Sequence, residues 1–497
     1  AKNLRKDQFE KVQGFSFTNI DKFSTGSIIT RLTTDVTNLQ NAYSMIIRLG
    51  VRAPIMMIVA WIFSFRISPS ISLVFLACIP VLAFGLCGLA VYVHPVFERV
   101  FHTYDKLNNV VDENLQGIRV VKSYTRESHE IAKFGRISQR IYKDFSKADR
   151  VMSFNNPLMM VCVYVSMILI AWMGAKQIVA SGNNAALGLT TGDLTALVTY
   201  AMQILMAMMM LSMVFVMCII SQASAERICQ VLNEESTVTN PANPIKEVAD
   251  GSIEFDNVDF RYSDNSEKPV LDNINLKIRS GMTVGILGGT GSSKSTLVQL
   301  IPRLYDTTEG TVRVGGRDVR EYDLEALRSS VAVVLQKNLL FSGTIKENLR
   351  WGNPDATDEE LVHACRLAQA DDFIRTFPDG YDTYIEQGGT NVSGGQKQRL
   401  CIARAILRKP KILILDDSTS AVDTKTDALI RQAFREEIPN TTKIIIAQRI
   451  SSVMDADQIV VMDNGRINAC GTHEELLANN EIYREVYESQ QKGGLEE

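Results

Sequence analysis

The sequence lacks the cysteine spacing of a metal site and the charge excess of a nucleic-acid-binding protein. Its eight cysteines include no Cys-x-x-Cys pair and have no companion histidine spacing, so neither a zinc site nor a disulfide framework is indicated. Basic residues number 52 against 56 acidic ones, the formal net charge is −4, and there is no basic tail. We therefore expect no nucleic-acid partner.

The first ten residues do not have the pattern of a cleavable leader. Residues Ala1–Glu10 are charged and amphipathic, whereas a signal peptide is a charged stretch followed by an apolar one. The pattern predicts no signal peptide and a chain that begins within a domain.

Charge is sparse in four apolar stretches of the first half, although the overall apolar fraction of 46% is ordinary. Each stretch has roughly the length of about 20 residues, or more, that a helix needs to cross a bilayer. Buried helices of a soluble protein are the alternative, but they would require an unusually large apolar core. We predict four spans: about Leu49–Ile67, Ser70–Val93, Pro157–Ala180 and Leu194–Ser221.

The loops between these spans differ in basic charge. Ser68–Ser70 and Ser181–Asp193 contain no Lys or Arg, whereas Glu98–Arg150 is rich in both. Because basic loops remain on the cytoplasmic side, Glu98–Arg150 is predicted to be cytoplasmic and the two other loops external. The chain is thus predicted to be a multi-pass protein of the cell membrane, with its C-terminal half in the cytoplasm.

Glu234–Asp250 contains two prolines and no sustained hydrophobic periodicity, and it is predicted to be a linker. A different pattern begins after it. Short apolar runs then alternate with helical segments, which is typical of an α/β domain. The first predicted strands are Ser252–Val258, Leu271–Ile278 and Thr283–Leu287.

A glycine-rich loop follows the third of these strands and precedes the helical Leu297–Leu304. Glycines let backbone N–H groups wrap phosphates, and the helix N-terminus adds its positive end. Lys294 is placed to reach the β- and γ-phosphates and Ser295 to ligate Mg²⁺, although a plain glycine-rich turn is the alternative. The predicted ATP-binding loop is Gly288, Gly289, Thr290, Gly291, Ser292, Ser293, Lys294, Ser295 and Thr296.

A second acidic motif supports the same chemistry. The apolar run Lys411–Leu415 ends at Asp416 and Asp417. A carboxylate at the end of such a strand is placed to hold Mg²⁺ through water. Asp416 is therefore predicted to contribute to a Mg²⁺ site.

These motifs together resemble the nucleotide-binding cassette of ATP-binding cassette (ABC) transporters. The resemblance implies that Tyr262 stacks on adenine and that Gln336 contacts Mg²⁺ beside Ser295 and Asp416. It also implies that a signature motif faces the ATP of a partner cassette, and that Ser420–Asp423 contacts the partner. The matching signature residues are Ser393, Gly394, Gly395 and Gln396.

The resemblance extends over both halves of the chain. It implies a multidomain protein with an all-α transmembrane domain of exporter type (1–233), a linker (234–250) and an α/β P-loop nucleotide-binding domain (251–490). Phe17–Gly26 and Gly117–Glu127 resemble the intracellular coupling segments of exporters. Exporter halves have six spans, so we expect the first two to precede Ala1.

Three positions depart from an active cassette. Ser293 occupies the position of a glycine, Asp417 that of the general-base glutamate, and Gln448 that of the switch histidine. Aspartate is one methylene shorter, and glutamine cannot carry a proton. All three belong to the ATP site whose loop this chain supplies, and the catalytic positions Asp417 and Gln448 predict weak hydrolysis there.

The intact signature beside a degenerate loop resembles one subunit of a heterodimeric multidrug-type exporter. Its implied partners are a second, different ABC half-transporter chain, the lipid bilayer and a hydrophobic or amphipathic substrate. A slow homodimeric exporter and an ATP-gated regulator or channel remain alternatives. An importer fits less well, because spans and cassette share one chain.

Overall fold

The computed structural model describes residues 1–23, 25–184, 188–263, 268–417 and 422–493. The chain forms two compact units, of which the first comprises Ala1–Gly14 and Phe23–Glu234. The second comprises Phe15–Lys22 and Glu235–Glu497, so a short segment from the beginning of the chain belongs to the unit formed by its second half. Ser420 and Ala421, in the predicted partner-contact loop, lie outside the described residues.

The first unit is helical in its described residues. Helices suit apolar segments in lipid because every backbone hydrogen bond is made within the segment. Two π-helical turns, Arg31–Asp35 and Ile46–Gly50, lie within the helical stretch from Thr25 to Ile67. The helices from the start of the chain are α1 Lys2–Gln13, α2 Phe17–Lys22 (in the second unit), α3 Thr25–Thr30, α4 Val36–Met45, α5 Arg52–Ile67, α6 Pro69–Gln116, α7 Ile118–Ser123, α8 Glu127–Ser153, α9 Asn155–Ser181 and α10 Thr191–Asn233.

Three helical segments are long and apolar enough to cross a membrane, counted over the described residues. They are Thr25–Ile67, Glu127–Ser181 and Thr191–Asn233, with mean hydropathies of 1.8, 2.2 and 2.6 in their most apolar windows. They contain three of the four predicted spans. The other, Ser70–Val93, lies within α6, where many side chains fall outside the described part of the chain.

A buried ion pair fixes the end of α10 within the first unit. The Asp35 side chain is fully buried and accepts hydrogen bonds from Arg227 Nε (2.8 Å) and Nη2 (2.5 Å) and from Ser224 Oγ (2.8 Å). Several donors are needed because a buried carboxylate without partners is costly. The contact ties the first π-helical turn to α10.

The second unit contains a six-stranded sheet in the order β12-β11-β3-β10-β9-β6, with all neighbours parallel except the edge strand β12. A four-stranded antiparallel sheet has the order β2-β1-β4-β5. The strands are β1 Ile253–Phe260, β2 Leu271–Ile278, β3 Thr283–Gly288, β4 Glu309–Val314, β5 Arg317–Asp318, β6 Val331–Val334, β7 Gly343–Thr344, β8 Tyr384–Ile385, β9 Ile412–Asp416, β10 Thr442–Ile446, β11 Gln458–Asp463 and β12 Arg466–Gly471. The helices are α11 Lys294–Gln299, α12 Leu324–Ser330, α13 Ile345–Arg350, α14 Asp358–Leu367, α15 Asp371–Thr376, α16 Gly394–Leu407, α17 Thr424–Glu437, α18 His473–Asn479 and α19 Glu481–Gly493.

The central strands explain where the site forms. Every residue of β9 and β10 is buried, as expected for parallel strands covered on both faces. Because parallel strands end at one edge of the sheet, the residues that follow β3, β9 and β10 meet there. The predicted α/β domain and its first strands are therefore confirmed.

Candidate functional site

The glycine loop leaves β3 through a position that has no room for a side chain. A Cβ atom on Gly288 would lie 2.3 Å from the Met462 carbonyl oxygen and 2.6 Å from Ser292 Oγ. Only glycine fits without moving β11, which pairs with β3 at this point. The loop then leads into α11, which begins at Lys294.

Lys294 lies folded over this loop. Its Nζ donates hydrogen bonds to the carbonyl oxygens of Gly288 and Gly289, both at 2.8 Å, and to Ser292 Oγ at 3.2 Å. Burial lowers the pKa of the Lys294 ammonium, and the carboxylates of Asp416 and Asp417 oppose that shift. A cation held at the mouth of a loop of backbone amides forms an anion-binding arrangement.

An oxygen pair lies beside the lysine. Ser295 Oγ donates to Asp416 Oδ1 at 3.1 Å, and the Asp416 side chain is buried. Burial raises the pKa of Asp416, with Asp417 adding to the shift while Ser295 and Lys294 oppose it. A divalent cation would lower that pKa and use both oxygens, because Mg²⁺ prefers hard oxygen ligands. Among the described residues no cluster of three His, Cys, Asp or Glu could hold a metal by itself.

Two glutamines converge on the neighbouring carboxylate. Gln448 Nε2 donates to Asp417 Oδ2 at 2.8 Å, and Gln336 Nε2 approaches the same oxygen at 3.4 Å. Gln448 follows β10 and Gln336 follows β6, the strands on either side of β9. The structure thus brings all three residues together, with Gln336 directed at Asp417.

One cleft of about 480 Å³ contains most of the predicted site. All residues of the predicted ATP-binding loop except Ser292 line it, together with both aspartates and both glutamines. Tyr262 is not among the described lining residues. Its hydroxyl lies 3.0 Å from Thr296 Oγ1, at the beginning of α11, and its side chain is 45% exposed.

The comparisons with known proteins agree over both halves of the chain. The family model of the ABC transporter transmembrane region matches residues 1–208, and that of the ABC transporter matches residues 271–420. An uncharacterized ABC transporter ATP-binding protein of Bacillus subtilis, YfiB, is 38% identical over 98% of this chain and 83% of its own length.

The chain belongs to the ABC transporter family. A fatty acid ABC transporter ATP-binding/permease protein of Mycobacterium tuberculosis is 33% identical over 97% of this chain and 75% of its own length. A solved bacterial Atm1-family ABC exporter with ATP bound superposes with a TM-score of 0.87 at 25% identity, covering 98% of this chain and 84% of that one. The predicted fold class is confirmed, and the chain is a multi-pass membrane protein with a cytoplasmic ATP-binding domain.

The predicted signature residues of this ABC transporter chain are not among the described lining residues of the cleft. Ser393 caps α16: its Oγ accepts from the Gln396 amide at 3.3 Å, and Gln396 Oε1 accepts from the Ser393 amide at 2.9 Å. This capping box fixes the first turn of α16. Ser393 and Gly394 are exposed there, while Gly395 and Gln396 are partly exposed. The first residues of α16 are therefore accessible at the surface.

Sequence reasoning missed the contribution of α19. Ile482, Tyr483 and Val486 line the cleft from this C-terminal helix. Gln490, one turn further on, donates from Nε2 to the Gln448 carbonyl at 2.8 Å and accepts the Ile450 amide at 2.9 Å. The periodicity of these apolar residues indicates a helix, but no local signal indicates which surface that helix covers.

Ser293 adopts a backbone conformation that favours glycine. Its φ is +70° and its ψ 22°, in the left-handed region where a β-carbon costs about 1–2 kcal/mol. We predict that Ser293→Gly lowers the ATP concentration for half-maximal binding about threefold, because the loop closes without that strain. Titration of the melting temperature with ATP measures this.

Gln369→Gly is the matched control. Gln369 also has a positive φ, +55°, but it follows α14 and is not among the described lining residues of the cleft. The control is expected to change the melting temperature of the nucleotide-free chain without changing ATP affinity. Equal ATP affinities in wild type and Ser293→Gly would contradict the prediction.

Proposed function

We propose that this chain is one half of a heterodimeric ABC exporter that moves hydrophobic or amphipathic molecules outward by alternating access, and that its own ATP site binds nucleotide better than it cleaves it. The observation that carries the second part is the hydrogen bond from Gln448 Nε2 to Asp417 Oδ2. It occupies an oxygen that a general base needs for the attacking water, with an amide that cannot accept a proton in exchange.

The other predicted site residues have these proposed roles. Lys294 and the loop amides would hold the phosphates, Tyr262 would contact the adenine, and Mg²⁺ would be held by Ser295, Gln336 and Asp416. The chemistry that a bound Mg²⁺ would supply is neutralisation of the negative charge that develops on the phosphates. Ser393, Gly394, Gly395 and Gln396 serve the partner's nucleotide from the exposed start of α16. We keep the proposed domain division 1–233, 234–250 and 251–490.

The proposed substrate class is supported by the membrane unit and by a relative. Large apolar side chains on α9 and α10 are exposed in this single chain: Ile168 is 67% exposed, Trp172 66% and Met206 60%. Such surfaces contact lipid, a partner or an apolar cargo, and methionine adapts to irregular ligands. The name of the related mycobacterial fatty acid transporter points to the same class of molecule.

Two measurements test the proposal. The purified chain alone is expected to show little steady-state ATPase activity, and the complex with its natural partner to show more, because the partner supplies the intact glutamate and histidine. Robust turnover by the chain alone, abolished by Lys294→Ala, favours the homodimeric alternative and refutes the degenerate site.

The second measurement separates a pump from a gated channel. In proteoliposomes that contain the complex, ATP is expected to drive an amphipathic dye or fatty acid against its concentration gradient. Movement that only follows the gradient, even with saturating ATP, identifies the ATP-gated channel or regulator instead.

A further inference from the structure

Tyr305 lies at the centre of an aromatic cluster beside the proposed adenine contact. Its side chain is 8% exposed, and its ring meets the Tyr262 ring edge to face, with centroids 5.2 Å apart and an interplanar angle of 87°. Phe260 contacts both rings, at 5.5 Å from Tyr305 and 4.8 Å from Tyr262. Edge-to-face aromatic contacts stabilise a pair beyond the area that they bury. The Tyr262 ring is therefore braced from one side by two buried rings.

The opposite end of Tyr262 is also fixed. Its hydroxyl lies 3.0 Å from Thr296 Oγ1, and Thr296 is buried in the first turn of α11, directly after the glycine loop. A ring held at its hydroxyl and by two neighbouring rings has few rotamers left. The Tyr262 side chain is nevertheless 45% exposed, which leaves part of it accessible to a planar ligand.

Tyr305 connects this cluster to α2. Its hydroxyl donates to Asp21 Oδ2 at 2.7 Å, and its ring lies 5.9 Å from that of Phe17. Burial and the Asp21 carboxylate raise the pKa of Tyr305, so the phenol stays protonated and keeps donating. Two further hydrogen bonds fix the same segment: Ser16 Oγ lies 2.7 Å from Thr237 Oγ1, and Asn19 Nδ2 donates to the Glu235 carbonyl at 2.9 Å.

We propose that Tyr305 is a positioning residue that sets the orientation of the adenine-contacting Tyr262 ring and makes that orientation depend on Asp21. The inference rests on the proposed role of Tyr262 in ATP binding. It extends that role, because a change in the position of the segment Phe15–Lys22 would then change the affinity for the adenine base through Tyr305 and Tyr262. The affinity for the phosphates would stay the same.

A ligand without a base separates positioning from general stability. The melting temperature of the full chain in lipid nanodiscs is titrated with MgATP and, separately, with Mg²⁺ and inorganic tripolyphosphate, which yields an apparent affinity for each. A damaged fold would weaken the binding of both ligands. A misplaced Tyr262 ring would weaken the binding of ATP alone, because only ATP has a base that can stack on it.

Four variants give the expected pattern. Tyr262→Leu is expected to weaken ATP about tenfold, the typical loss for one base–aromatic stack. Tyr305→Leu is expected to weaken ATP about fivefold and Asp21→Ala about twofold, with tripolyphosphate unchanged in all three. Tyr322→Phe is the matched control: this buried tyrosine donates to the Val314 carbonyl at 2.8 Å in the same unit, and its loss should leave both affinities unchanged.

The double variant Tyr262→Leu with Asp21→Ala decides whether the effect passes through Tyr262. The loss of ATP affinity caused by Asp21→Ala should disappear in the Tyr262→Leu background.

The inference is overturned if that loss persists in the Tyr262→Leu background. It is also overturned if Tyr305→Leu weakens the binding of ATP and of tripolyphosphate equally, or weakens neither. If Tyr262→Leu itself leaves ATP affinity unchanged, the proposed adenine contact fails. If Tyr262→Leu weakens ATP binding but Tyr305→Leu and Asp21→Ala do not, the inference about Tyr305 fails and the proposed adenine contact of Tyr262 stands. Asp21→Ala keeps the test decisive if Tyr305→Leu does not fold.

Discussion

Replacing Asp417 by glutamate and Gln448 by histidine together is expected to raise ATP hydrolysis at this chain's own site by about tenfold to a hundredfold. Glutamate brings the carboxylate about one methylene closer to the attacking water, and a misplacement of that size typically costs a hundredfold in rate. Histidine can exchange a proton with its surroundings, whereas the Gln448 amide that now donates to Asp417 cannot. Single-turnover hydrolysis of nucleotide trapped on this chain measures the gain.

The same double variant with Asp416→Asn is the control. Asp416 is one of the three proposed Mg²⁺ contacts, so its loss should remove the gain while the chain still folds. An unchanged single-turnover rate in the Asp417→Glu, Gln448→His variant would show that these two positions do not limit hydrolysis. The degenerate-site proposal would then have to rest on Ser293 alone.

Lys294→Met is expected to weaken ATP binding about tenfold to a hundredfold. The ammonium now bonds to the Gly288 and Gly289 carbonyls and to Ser292. With nucleotide bound, it exchanges these contacts for charge-assisted bonds to phosphate, which are worth about 1.5–3 kcal/mol. Methionine keeps the length of the side chain and removes the charge. The ATP dependence of the melting temperature gives the apparent affinity.

Lys409→Met is the matched control for this substitution. Lys409 pairs with Glu360 at 2.7 Å on the exposed surface, and it is not among the described residues of the cleft. Exposed ion pairs contribute little, so neither stability nor ATP affinity should change appreciably. Equal ATP affinities for Lys294→Met and Lys409→Met would exclude the proposed phosphate contact.

Features encoded within a short stretch of sequence were predictable. Three predicted spans lie in helices that meet the length and hydropathy of a membrane crossing. The predicted strand Leu271–Ile278 has the observed bounds, and Thr283–Leu287 differs from β3 by one residue. Apolar runs of this length indicate a helix or a strand because their side chains avoid water. The backbone groups that accompany them away from water must then be paired within regular secondary structure.

Contacts between distant residues were not predictable. Tyr305 meets Asp21 across 284 positions of sequence, and Gln490 meets Gln448 across 42. No periodicity or composition marks either pair, because each residue alone is an ordinary helix or loop residue. The direction of Gln336 toward Asp417 likewise depends on the order of β6, β9 and β10 in the sheet.

The sequence by itself determined the membrane helices, the α/β unit and the residues Lys294, Ser295, Asp416 and Asp417 of the site. These depend on hydrophobic length and on motifs whose spacing is fixed by one strand, one turn and one helix. Only the tertiary structure decided that Gln448 bonds to Asp417, that α19 lines the cleft and that Tyr305 braces Tyr262. The physical reason is that sheet order and helix docking, which sequence spacing does not encode, set the distances between side chains on separate elements.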